Sequence, residues 1–75
     1  MYKDYYSKKL KKARERAGYT QKQVEDLTGI TQPILSRIER GDREPSIENL
    51  CTLIDFYEVS ADWILGTGVN TKHEN

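Results

Sequence analysis

A chain of 75 residues, 32% of them charged and 36% hydrophobic, holds one domain at most and buries about 60% of the surface its unfolded form exposes. One cysteine, Cys51, excludes an internal disulfide framework, and one histidine, His73, excludes a metal site built from several Cys or His ligands. No apolar run is long enough to span a bilayer, and the opening MYKDYYSKKLKK lacks the apolar segment of a secretory signal. The expectation is a soluble, cytoplasmic protein without membrane association.

The formal net charge is zero, but its distribution is uneven. Residues 1–23 carry eight Lys or Arg (Lys3, Lys8, Lys9, Lys11, Lys12, Arg14, Arg16 and Lys22) against Asp4 and Glu15, a local excess of six. The remainder offsets this with ten acidic residues against Arg37, Arg40, Arg43 and Lys72. A local basic region attracts phosphate whatever the total, although a lysine run is as readily a solvated helix face.

Tyr6, Leu10, Ala13 and Ala17 recur at helical spacing and predict a first helix over roughly 4–17, stopped by Gly18. Thr20 with Gln23 forms a capping box, and Val24 and Leu27 give the apolar face of a second helix over roughly 21–28, broken by Gly29. Ile30 stands alone in the turn. Thr31, or Gln32 in its place, caps a third helix over roughly 32–40, with Pro33 in the first turn and Leu35 and Ile38 facing the core. Gly41 ends it, and the loop GDREP leads to Ser46, the cap of a fourth helix with Ile47, Leu50, Cys51, Ile54 and Tyr57 as its apolar stripe. Cys51 is expected in the core by burial tendency. Ser60 caps a short fifth helix with Ile64 and Leu65, ended by Gly66. The sum is an all-α, compact five-helix bundle over 1–66, followed by a polar tail or the start of a linker over 67–75 in which His73 has no assigned role.

Helix two, a tight turn at Gly29 and helix three form helix-turn-helix spacing, in which the first helix braces a second that can lie in a DNA major groove. With Leu35 and Ile38 inward, the outward residues of helix three are Gln32, Pro33, Ser36, Arg37 and Arg40. Gln can pair bidentately with adenine and Arg with guanine, so Gln32, Pro33, Ser36 and Arg37 are the candidate base contacts. Ile34 suits the core and the groove equally.

The flanks sharpen this. Arg14, Gly18, Thr20-Gln21, Leu27, Gly29-Ile30, Leu35, Ser36-Arg37-Ile38-Glu39, Gly41, Pro45-Ser46, Leu50, Val59-Ser60 and Ile64-Leu65 together resemble the lambda-repressor-like, Cro and Xre type of regulator over about residues 6–65. The resemblance implies that helix three is the recognition helix, that Gln21 meets a backbone phosphate at the start of helix two, and that Arg14 and Glu39 form a structural ion pair. Free first-turn amides favour an anion beside Gln21, and Lys22, Arg40 and Arg43 are the further candidate phosphate contacts. Glu25 departs from the pattern, which has a small residue there; its carboxylate must turn outward or find a partner, Arg37 among the candidates.

The function so implied is a sequence-specific DNA-binding transcriptional regulator, a repressor on a palindromic operator, with double-stranded DNA and a second copy of the chain as partners. Phe56 and Trp63 are candidates for the dimer interface. The alternative is an antitoxin or immunity-type module that grips a protein partner through helices four and five. No cofactor and no metal is expected, and the absence of paired Cys and His or of a Gly-rich phosphate loop argues against an enzyme.

Overall fold

The computed structural model describes the backbone of residues 2–67 and the side chains of residues 6–67. Five helices follow in order: α1 (Tyr2–Ala17), α2 (Gln21–Thr28), α3 (Gln32–Arg40), α4 (Ile47–Tyr57) and α5 (Ala61–Leu65). No strand occurs among the described residues. The expected tail beyond Thr67, with His73, lies outside them.

Local chemistry sets the helix boundaries. At α2 the capping box is complete: Thr20 Oγ1 accepts the Gln23 N–H at 3.1 Å, and Gln23 Oε1 accepts the Thr20 N–H at 2.8 Å. Gly29 ends α2 at φ +85°, a left-handed conformation that costs glycine nothing and lets its N–H reach the Glu25 carbonyl at 2.8 Å. The same conformation at Glu58, φ +58°, ends α4 without a glycine. Ser46 and Ser60 accept the Asn49 and Trp63 amides and start α4 and α5. Helix α1 begins at Tyr2, two residues before the expected start.

Helix α1 packs on α3, α4 and α5, and α2 packs on α3 and α4. Between them lie Leu10, Ala13, Val24, Ile30, Leu35, Ile38, Leu53, Tyr57 and Ile64, all buried. Burying a side chain such as Leu35 contributes about 1.5 to 3 kcal/mol, so a few such residues decide whether a domain this small folds. Ile30 anchors the turn between α2 and α3 in this core.

Four expectations about the core are corrected. Leu27 is 61% exposed, because α2 turns Val24 fully inward and leaves its last turn toward solvent. Ala17 is exposed, as are Glu15 and Arg16 before it in the last turn of α1. On α4 the inward residues are Leu53 and Tyr57, flanked by half-buried Leu50 and Ile54, which places Ile47, 77% exposed, and Cys51 on the outer side. The inward row runs 50, 53, 54 and 57, a helical stripe one step round from the expected one. Cys51 is thus a surface thiol.

Phe56 is half-buried within an aromatic row, its ring centroid 4.9 Å from Tyr19 and 5.7 Å from Tyr57. Trp63 is also half-buried; Lys9 Nζ lies 4.4 Å and the Arg16 guanidinium 5.5 Å from its ring centroid, so α5 is fastened to α1 by two cations on one indole.

Tyr57 carries a cost. Its hydroxyl is buried and has no hydrogen-bond partner among the described residues. Burial, reinforced by the Glu39 carboxylate and opposed by Arg14, raises the phenol above its ordinary value of 10.0. As pH climbs past that value the unfolded chain releases this proton first. The stability that the neutral phenol contributes is intact below about pH 10 and declines above it, by about 1.4 kcal/mol per pH unit. Tyr57→Phe is expected to remove this alkaline loss and, at neutral pH, to leave stability unchanged or raise it by about 1 kcal/mol. Urea unfolding at neutral and alkaline pH checks both; equal alkaline losses in the two proteins refute the assignment.

Candidate nucleic-acid interface

Helix α3 shows two sides. Leu35, Ile38 and Glu39 are buried, and Ile34 packs half-buried against the core, so Ile34 belongs to the interior side of the groove-or-core choice. Gln32, Pro33, Arg37 and Arg40 are exposed and Ser36 is half-buried, and their spacing sets all five on the outer side. The guanidinium of Arg37 has no hydrogen-bond or ion-pair partner among the described residues. Arg40 is tethered: Nη1 donates to Ser36 Oγ at 3.1 Å and Nε to Asp42 Oδ2 at 3.0 Å. Arg43 is exposed in the loop that follows.

The angle of this helix is set by one carboxylate. Glu39, its side chain 3% exposed, takes Arg14 Nε on Oε2 at 2.8 Å and Arg14 Nη2 on Oε1 at 3.0 Å. This two-pronged geometry is the strong form of an arginine–carboxylate pair. Arg14 Nη1 also donates to the Tyr19 carbonyl at 2.8 Å, which ties in the link between α1 and α2. Gln21 adds a third donor, its Nε2 lying 3.0 Å from Glu39 Oε1. The hydrogen bond to Glu39 raises the Arg14 pKa further, against the opposing effect of burial. Through Glu39, therefore, α1, α2 and α3 meet at one charge.

Gln21 is the first residue of α2, the place from which a phosphate contact is expected. Its side chain is bonded to Glu39, and with the Gln23 amide taken by Thr20 the first-turn donors left there are the Gln21 and Lys22 amides. Lys22 lies 3.7 Å from Glu25 Oε1 and 3.6 Å from Asp26 Oδ1, two exposed contacts of little energetic weight. Glu25 does not join Arg37. Its Oε1 accepts the Gln32 N–H at 3.3 Å, capping α3 where the Thr31 hydroxyl makes no capping bond. The expected Thr31 cap is correct in position and not in chemistry. A carboxylate seven residues before a helix start is the only trace of this in the sequence, and local capping rules do not look that far.

Among the described residues no group of three or more His, Cys, Asp or Glu could hold a metal ion, and no helix is long and apolar enough to cross a membrane.

A braced outer helix, entered through a glycine-stopped turn and held from behind by an arginine–glutamate clamp, is a helix-turn-helix arrangement, and residues 10–64 match the family model described as helix-turn-helix. The chain belongs to the Cro/C1-type helix-turn-helix family. Over 68 residues it is 43% identical to the HTH-type transcriptional regulator ImmR of Bacillus subtilis, a match that covers 89% of this chain and 54% of ImmR. It is 36% identical over 67 residues to the uncharacterized HTH-type transcriptional regulator YqaE of the same species, covering 89% of this chain and 58% of YqaE. YazB, another uncharacterized HTH-type transcriptional regulator of B. subtilis, is 34% identical over 59 residues, covering 79% of this chain and 86% of YazB. This helix-turn-helix chain thus spans little more than half the length of ImmR and YqaE.

Proposed function

We propose that this helix-turn-helix protein is a DNA-binding transcriptional regulator that reads base edges through the outer side of α3. The observation that carries the reading is the exposed Gln32 and the exposed, unpaired Arg37 on a helix whose inner side is clamped by Glu39. An arginine with no partner among the described residues is available for bidentate pairing with guanine, and Gln32 for adenine. Pro33 and Ser36 lie beside them as further base contacts. Arg40, Arg43, Lys22 and the first-turn amides of α2 at Gln21 supply the backbone contacts, which fix register without reading sequence.

The finer reading is a repressor acting in the cytoplasm as a homodimer on a palindromic operator. One recognition helix spans only a few base pairs, and a two-fold pair of protomers reaches two successive major grooves. The names of ImmR, YqaE and YazB support regulation of transcription. Phe56 and Trp63, the candidates for the dimer interface and part of the helix-four-and-five surface of the protein-partner alternative, already pack inside the domain, which weakens both as docking residues.

Selection of bound duplexes from random DNA tests the proposal. A palindrome is expected to be enriched, with affinity falling as salt rises at a log-log slope near −0.9 for each phosphate neutralised. Gln32→Ala combined with Arg37→Ala is expected to weaken binding to that site by about 30-fold or more, with folding intact. Failure to enrich any duplex at low salt defeats the reading.

A further inference from the structure

The first turn of α3 is capped from another helix. Thr31 has the extended backbone of a cap residue, φ −68° and ψ 149°, but its hydroxyl makes no capping hydrogen bond. Glu25 Oε1 takes the Gln32 N–H instead, with Lys22 Nζ 3.7 Å from the same oxygen. The Glu25 side chain is 29% exposed, so its charge is felt in solvent at the edge of the outer side of α3.

Free first-turn amides and the positive end of a helix draw phosphate. A carboxylate already seated there satisfies that end and repels a second anion. Gln32, whose amide it holds, is also the first candidate base-reading residue. We propose that Glu25 is a specificity-setting residue: its carboxylate fixes the first turn of α3 and denies that turn to DNA phosphate, so the turn meets base edges. The proposal rests on the DNA-binding reading above. Docked registers that press the DNA backbone against this turn are penalised more than the register in which bases face it, and specificity is widened by disfavouring the wrong complexes.

Two variants separate the cap from the charge. Glu25→Gln keeps an acceptor oxygen and loses the charge; Glu25→Ala loses both. Binding of each is compared with wild type on the duplex that wild type enriches from random DNA and on an unrelated duplex of equal length. Glu25→Gln is expected to tighten binding to the unrelated duplex by about two- to fivefold, with a smaller change on the enriched one, so the specificity ratio falls. Glu25→Ala is expected to lower the ratio as well and to speed hydrogen exchange of the Gln32 amide, an effect that Glu25→Gln does not produce. An unchanged ratio in Glu25→Gln overturns the proposal while the DNA reading stands. A wild-type protein that enriches no duplex overturns the DNA reading itself.

Discussion

Arg14→Ala is expected to lower the free energy of unfolding by about 3 kcal/mol, a large share of what a domain of this size possesses. Its partner explains the size of the effect. The Glu39 side chain is 3% exposed and receives two of its three hydrogen bonds from Arg14, so the substitution leaves a carboxylate inside the protein with only Gln21 to meet it. The surviving Gln21 bond keeps the loss near the low end for a broken buried pair. Replacing both members with apolar residues of similar size is expected to recover most of the loss, because no charge then remains to be desolvated. Thermal denaturation followed by circular dichroism reads this as a fall in Tm of roughly 12 to 24 °C for the single variant. A loss below about 1 kcal/mol would mean that the pair behaves as an exposed one, contrary to its geometry.

The second large effect distinguishes two leucines of the helix-turn-helix unit. Leu35→Ala, at a position with no exposed surface, is expected to cost about 2 to 5 kcal/mol through lost burial and the cavity left beneath α3. Leu27→Ala, at a side chain 61% exposed, is expected to change stability by no more than about 0.5 kcal/mol. Urea denaturation of the two variants decides the matter. Comparable losses would show that Leu27 is covered in solution.

That contrast marks what could be read from sequence. Both ends of α2 and α5 and the Gly41 stop of α3 are legible because they are local: a hydroxyl cap, or a glycine able to take φ near +80°, needs no tertiary context. The outer side of α3 is legible for a similar reason, since apart from Pro33 in the first turn only Ile34, Leu35 and Ile38 in that helix are apolar. The phase of α4 is not. Ile47, Leu50, Cys51, Leu53, Ile54, Phe56 and Tyr57 give it apolar residues on most of its surface, so two stripes fit, and packing against α1 and α2 selects between them. The destinations of Glu25 and Gln21 were equally hidden. Each long polar side chain can reach several partners, and the choice depends on where α3 comes to lie.

Helix α3 is held by a carboxylate at each end: Glu25 reaches in from α2 at its start, and its own Glu39 is gripped by Arg14 and Gln21 near its finish. The conformational entropy of ordering this helix is therefore spent during folding and not during association. Its backbone is thus set before any contact, and on its outer side Gln32 and Arg37 are the long side chains left to be ordered.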